Sequence, residues 1–188
     1  MKTTGPGQST LLLLDAVDIL NHLKIPYAVV GAIAAAFHGL VRASQDADVV
    51  ISLPSGDLPE LEKEMHRAGF LVELSKGDVD DPVTAVLMLA DAYENRVDLL
   101  LGIRGMEAGA LSRALEAAFM GGHIRIIGAE DFIAMKIFAG GPKDMDDVRG
   151  VLEVSREKLD LPLLKKLTRR YGAGEARTLA SLLSKLRR

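Results

Sequence analysis

The sequence lacks cysteine and tryptophan and has few aromatic residues, with five Phe and three Tyr among 188 residues. Without cysteine, disulfides, thiolate metal sites and a cysteine nucleophile are excluded, which fits a reducing cytoplasm. So few aromatic rings provide poorly for stacking on nucleic-acid bases. An early apolar run at 11–14 is followed at once by Asp15 and Asp18, so we expect neither a signal peptide nor a membrane span. We therefore expect a cytoplasmic protein without a membrane partner.

The net charge of −3 is unevenly distributed along the chain. Residues 158–188 carry nine basic and two acidic side chains (+7), whereas residues 1–157 carry 14 basic and 24 acidic ones (−10). A basic end on an acidic body can bind RNA or another polyanion, although a solvated basic helix face is the simpler interpretation.

Hydrophobic spacing and turn residues predict an α+β fold, with a mixed β-sheet, helices packed on it and a C-terminal helical region. Helices are expected over 9–23 (capped by Ser9 or Thr10), 31–39, 59–69, 106–119, 130–139, 143–154, 160–170 and 175–187. Strands are expected over 27–31, 46–53, 70–74, 83–89, 96–101 and, at an edge, 121–127. These elements divide the chain into an α/β core, residues 1–128, and a helical region, residues 129–188.

Two aspartates, Asp46 and Asp48, run directly into the apolar strand that follows them. Alternate side chains of a strand point to the same face, so the two carboxylates are expected to lie side by side. Adjacent carboxylates repel each other, and a cation between them relieves the repulsion. Magnesium suits hard oxygen ligands and commonly accompanies phosphate substrates, so the pair predicts a magnesium site.

A third carboxylate, Asp98, lies inside an otherwise apolar strand. A lone acid there is costly unless it is paired or binds a cation, or unless it faces water at a strand edge. If its strand neighbours that of Asp46 and Asp48, the three carboxylates converge and hold two metal ions, one activating a hydroxyl and one binding nucleotide phosphates.

The ordered residues Gly31, Gly39, Arg42, Ser44, Asp46 and Asp48, followed by Asp98, resemble the core of the polymerase-β-type nucleotidyltransferase superfamily. This motif is similar to that of stand-alone bacterial members, which include the AbiEii-like toxins of abortive-infection systems. The resemblance covers roughly residues 27–152. It implies a nucleotidyltransferase core that uses two Mg²⁺ ions and an NTP as substrate.

The resemblance also assigns expected roles to the site residues. Asp46 and Asp48 are expected to bind both metals, and Asp98 the catalytic metal while it helps to deprotonate the acceptor. Arg42 is expected either to bind the β- and γ-phosphates or to hold Asp46 or Asp48 in place. Ser44 is expected to touch a phosphate, although a serine at a strand entry needs no function.

One position departs from the family pattern, since Ala32 follows Gly31 where the superfamily usually has serine or glycine. Phosphate binding would then depend on the backbone N–H groups at the start of the helix.

Lys136 lies inside a helix that is apolar almost all round, where a lysine either reaches solvent or meets an anion. A lysine in a similar helix belongs to the active site of the AbiEii-like group, so Lys136 is expected to contact the triphosphate. Asp144 and Asp147 match the motif that follows in that group, and one of them is expected to order Lys136, Arg42 or the acceptor. The alternative for this pair is a helix cap and an ordinary surface acid.

The sequence thus predicts a nucleotidyltransferase that moves an NMP from an NTP to a hydroxyl acceptor and releases pyrophosphate. RNA, tRNA included, is one expected acceptor, and a cognate antitoxin protein is an expected partner. The alternative is a weakly active or inactive protein of this fold that serves as a nucleotide- or partner-binding module.

Overall fold

A seven-stranded mixed sheet with helices packed on it forms the computed structural model, which describes residues 1–78 and 81–186. The predicted fold class is confirmed. The helices are α1 (Ser9–His22), α2 (Gly31–Phe37), α3 (Leu58–Arg67), α4 (Ala129–Ala139), α5 (Pro142–Ser155), α6 (Leu161–Tyr171) and α7 (Ala173–Lys185). The strands are β1 (Tyr27–Val29), β2 (Asp46–Ile51), β3 (Leu71–Lys76), β4 (Val83–Ala90), β5 (Arg96–Ile103), β6 (Leu115–Phe119) and β7 (Gly122–Ile126).

The two strands that carry the acidic residues are neighbours in the interior of the sheet. The strand order is β3-β4-β5-β2-β1-β7-β6, and β2 pairs with β5 in parallel. β4 and β5 form the predicted antiparallel hairpin. The site therefore rests on strands that are hydrogen-bonded on both sides.

One face of β2 and β5 belongs to the apolar core. Ala47 and Val49 of β2, and Val97 and Leu99 of β5, are each at most 2% exposed. α1 contacts both strands and contributes its own buried leucines to the same cluster. Because side chains alternate along a strand, the aspartates project from the opposite face.

The helix predicted over 106–119 is wrong. Residues 106–114 form turns, and the residues that follow form β6, which pairs with β7. Met120 (φ 48°) and Gly121 (φ 83°) connect the two strands, and positive φ at both central residues is typical of a type I′ hairpin turn. Pairing with β7 thus overrides the helix propensity of the Leu, Glu and Ala residues. β7 is consequently not the predicted edge strand, since it lies between β1 and β6.

The four predicted C-terminal helices are present as α4 to α7, and α4 contacts the other three. Residues 187 and 188 lie outside the described part of the chain, and the boundary at residue 128 stays a prediction. Among the described helices, none is long and apolar enough to cross a membrane.

Candidate active site

The strand register brings the acidic residues together. Asp48 of β2 lies directly opposite Asp98 of β5, and Asp46 lies opposite Arg96. Asp46 precedes Asp48 by two residues on the same face, so the three carboxylates start from neighbouring positions. The expectation that the strand of Asp98 neighbours the Asp46 strand is confirmed.

Gly31 packs against the carboxylate of Asp48. Gly31 opens α2 with φ 60°, and a Cβ at this position would lie 2.9 Å from Cγ of Asp48 and closer still to Oδ2. The backbone N–H of Val30 also donates to the carbonyl oxygen of Asp48, at 2.9 Å. Glycine is therefore required here both for the backbone conformation and for the space that Asp48 occupies.

The surroundings of Asp48 disfavour its charged form. Burial raises the pKa of its carboxyl group above the ordinary value of 3.8, and the neighbouring charges of Asp98 and Asp46 raise it further. The positive charges of Lys136 and Arg42 lower this pKa, but they do not offset the rise. A metal cation at this position would favour the charged carboxylate.

Asp98 is held by an arginine that the sequence analysis did not identify. Nε of Arg96 donates to Oδ1 of Asp98 at 2.7 Å, and Nη2 donates to Oδ2 at 2.9 Å. Within residues 1–78 and 81–186, no three Asp, Glu, His or Cys side chains are arranged to hold a metal ion together. Asp98 thus lies beside Asp48 with both of its oxygens bonded to a guanidinium.

A second charged network links four other predicted site residues. Arg42 donates to both oxygens of Asp147, at 2.8 and 3.1 Å, and so does not hold Asp46 or Asp48 by a hydrogen bond. Nζ of Lys136 lies 2.5 Å from Asp144 and 3.2 Å from Asp147. The side chain of Asp147 is only 2% exposed, which excludes the expected alternative of a surface acid at this position. Asp147 therefore orders both cations, as one of the alternatives predicted.

Two cavities lie beside the carboxylates, and the remaining predicted residues divide between them. The larger one, about 640 Å³, is adjacent to Asp46 and is lined also by Ala32, Arg42 and Ser44. The smaller one, about 190 Å³, is lined by Asp48 and, among other residues, by Gly31, Lys136 and Asp144. The larger cavity falls within the range of small-molecule sites, roughly 300–1,000 Å³.

Solved structures share this architecture at low sequence identity. ANT(2'')-Ia, an antibiotic-resistance factor solved with adenylyl-2''-tobramycin, has a TM-score of 0.62 and 18% identity over 88% of this chain and 99% of its own. The lincosamide antibiotic adenylyltransferase LnuA, solved with lincomycin, has a TM-score of 0.51 and 12% identity over 81% of this chain and 99% of its own. An antigenic nucleotidyltransferase-like protein from Paracoccidioides brasiliensis has a TM-score of 0.52 and 16% identity, covering 96% of this chain and 92% of its own.

The chain has a nucleotidyltransferase fold. Comparison with protein-family models gives no match, and a search among curated proteins gives none either.

The donor chemistry of this nucleotidyltransferase-fold site fits magnesium. Asp46, Asp48 and Asp98 offer hard carboxylate oxygens from adjoining strand positions. Burial, and after it the negative charges of Asp98 and Asp46, raise the pKa of Asp48. Both oxygens of Asp98 are shared with Arg96, so the residues fit Mg²⁺ once Asp98 is at least partly released.

Two contributors to the site were missed from the sequence. Arg96 precedes Asp98 by two residues, so strand alternation alone places it on the same face. The prediction that Ser9 or Thr10 caps the first helix is wrong, because the N-cap residue is Gln8, which forms no side-chain cap bond. The Ser9 hydroxyl instead donates to the carbonyl of Gln45 (2.6 Å) and accepts from the backbone N–H of Arg96 (3.0 Å), which ties the starts of β2 and β5 together.

Proposed function

We propose that this protein is a magnesium-dependent nucleotidyltransferase that moves an NMP from an NTP to a hydroxyl acceptor and releases pyrophosphate. The observation that carries the proposal is the register that sets Asp48 opposite Asp98, with Asp46 on the same face. The nucleotidyltransferase fold supports it independently.

The three carboxylates would bind the metal ions and accept the proton of the acceptor. Asp46, Asp48 and Asp98 would hold the two Mg²⁺ ions, which supply charge neutralisation at the phosphates and activation of the hydroxyl. In the transfer, the acceptor oxygen bonds to the α-phosphorus and the bond to the α,β-bridging oxygen breaks. The hydroxyl proton passes to Asp98, and pyrophosphate leaves. Catalysis then depends on positioning and on neutralisation of charge.

Lys136 and Arg42 are the residues we assign to the triphosphate. Both cations contact Asp147, and Arg42 lines the larger cavity while Lys136 lines the smaller one. Backbone N–H groups at Gly31 and Ala32 would add donors, although α2 has only seven residues and offers a small dipole. Ser44 lines the larger cavity with Arg42 and is a further phosphate contact in this proposal.

Two classes of acceptor follow from different observations. The resemblance to AbiEii-like toxins favours RNA, tRNA included, with a cognate antitoxin as partner. The structural neighbours instead include one protein solved with adenylyl-2''-tobramycin and another solved with lincomycin. These ligands favour a small hydroxylated molecule as the acceptor. The basic residues of α6 support RNA as the acceptor only to a limited extent. Lys166 is already paired with Glu107, and Arg170 already donates to a backbone carbonyl.

A transfer screen tests the proposal. Each labelled NTP is incubated with Mg²⁺ and either total RNA or a panel of hydroxylated small molecules, and the label on the acceptor is measured. Transfer by the wild type and none by Asp46→Ala is expected. If RNA is the acceptor, binding weakens steeply as salt is raised, because phosphate contacts release counterions. A flat salt response excludes RNA.

A second candidate function is a nucleotide- or partner-binding module without transfer activity. Ala32 and the engagement of both Asp98 oxygens by Arg96 favour it. Isothermal titration with Mg²⁺ and each NTP, followed by a pyrophosphate assay across the acceptor panel, separates the two candidates. Binding without pyrophosphate release for any acceptor supports the module.

A further inference from the structure

Arg96 already supplies a positive charge within the carboxylate site. Its guanidinium donates to both oxygens of Asp98, at 2.7 and 2.9 Å, in the forked geometry that makes arginine–carboxylate pairs strong. Nη2 is fixed further by the sulfur of Met88, at 3.1 Å, which lies opposite Asp98 on β4. The Asp98 side chain is 15% exposed and that of Arg96 is 43% exposed, so water screens this pair mainly from the arginine side.

The position of Arg96 distinguishes this contact from an ordinary ion pair within one strand. Arg96 lies opposite Asp46, and Asp98 lies opposite Asp48, so the guanidinium shares one sheet face with all three carboxylates. Arg96 therefore occupies the region where the proposed function requires a metal cation.

We propose that Arg96 is the resident cation of the carboxylate site and that Mg²⁺ binds by displacing it from Asp98. This inference rests on the proposed function insofar as it takes the three carboxylates to be the metal ligands. Before metal arrives, the guanidinium neutralises part of the acidic cluster. Metal binding requires a side-chain movement of Arg96, and Arg96 lowers the apparent affinity for magnesium.

A role for Arg96 that is only structural makes the opposite prediction. If Arg96 merely holds Asp98 in place, its removal leaves the carboxylate less ordered, and Mg²⁺ binds no better or more weakly. If Arg96 competes with the metal, only the fraction of molecules with a released Asp98 can bind. The apparent Kd is then the intrinsic Kd divided by that fraction, so removal of Arg96 tightens binding.

The direct test is isothermal titration of MgCl₂ alone, without nucleotide, into wild type, Arg96→Gln, Arg96→Lys and Arg67→Gln. We expect Arg96→Gln to bind Mg²⁺ about tenfold more tightly, the order of magnitude set by a charged hydrogen-bonded pair. Arg96→Lys keeps the charge but loses the fork, so an intermediate Kd is expected. Arg67→Gln removes the same charge from a residue on α3 that pairs with Glu64, and is expected to match the wild type.

The rise in unfolding temperature on adding Mg²⁺ gives a second readout, and it is expected to be larger in Arg96→Gln than in the wild type. An unchanged or weaker Kd in Arg96→Gln and Arg96→Lys, with normal binding by the wild type, overturns this inference and leaves the proposed function standing. Binding by Arg96→Gln alone supports the inference strongly. If neither the wild type nor any variant binds Mg²⁺, both the inference and the metal sites of the proposed function are overturned.

Discussion

Gly31 and the Asp48 carboxylate are packed so closely that no Cβ fits between them. The start of α2 thereby fixes where the Asp48 side chain lies on β2. The pairing of β2 with β5 places Asp98 opposite Asp48, so this contact lies directly beside the acidic cluster. The glycine motif and the acidic strand are thus one structural unit, whatever further part the glycine backbone plays in phosphate binding.

Gly31→Ala is expected to destabilise the fold and displace Asp48. A non-glycine residue in the left-handed region costs about 1–2 kcal/mol, and the clash with Asp48 adds to that cost. Gly121→Ala is the matched control, because Gly121 also has positive φ but has nothing within 4 Å of an added Cβ. Chemical denaturation is expected to show a larger loss for Gly31→Ala. Equal losses for the two variants would contradict the proposed contact.

The raised pKa of Asp48 predicts a specific pH dependence of stability. Between the ordinary value of 3.8 and the higher folded value, the folded protein binds more protons than the unfolded chain. The free energy of unfolding therefore falls through this window as pH rises, and the cost is fully present above it. Asp48→Asn lacks this cost, so without Mg²⁺ it is expected to be more stable than the wild type at neutral pH.

Denaturation curves of both proteins over a pH series measure this difference. It is expected to grow from low to neutral pH without metal and to shrink when Mg²⁺ is added. A difference that does not change with pH would show that Asp48 is not perturbed. Asp146→Asn, on the exposed side of α5, is the control.

Asp147→Ala is expected to cost about 2 kcal/mol of unfolding free energy, since it removes a buried carboxylate that bonds to Arg42 and Lys136. Asp146→Ala removes the adjacent acid, whose side chain is 77% exposed, and is expected to change stability by no more than about 0.5 kcal/mol. Urea denaturation measures both. Equal effects of the two substitutions would show that Asp147 does not order the cations.

Lys136→Met is expected to weaken NTP binding about tenfold, because the proposal makes Lys136 a charged hydrogen-bond donor to the phosphates. It also removes a charge that lowers the pKa of Asp48, so that pKa is expected to rise further. Lys143→Met, at an exposed position of α5, is the control for the loss of one charge. Titration with a fluorescent NTP analogue measures the affinities. If both variants bind equally well, Lys136 does not contact the triphosphate.

The pairing of Asp46 with Asp48 could be predicted from the sequence because strand alternation is a local rule, whereas the position of Asp98 beside them depends on the pairing of β2 with β5. The C-terminal helices could be predicted for the same reason, since helical spacing and Gly or Pro breaks are local signals. The contact between Asp147 and Arg42 was only one of several predicted alternatives, because Arg42 lies 105 residues away and only the fold brings the two together.

β6 was mistaken for part of a helix because its Ala and Glu residues form helices readily, while its pairing with β7 depends on the turn at Met120 and Gly121. Arg96 was missed although its spacing from Asp98 was visible. Alternation along β5 places Arg96 on the same face as Asp98, so the rule that groups the acidic side chains also applies to this basic one.

The proposed role of Asp48 in magnesium-dependent NMP transfer is tested by pyrophosphate release from wild type and Asp48→Asn. Release is measured with Mg²⁺, an NTP and an acceptor found in the transfer screen. Asp48→Asn is the informative variant because it is expected to fold at least as stably as the wild type without metal. We expect magnesium-dependent release by the wild type and a loss of at least about a hundredfold in the variant. Release by Asp48→Asn at the wild-type rate would contradict it.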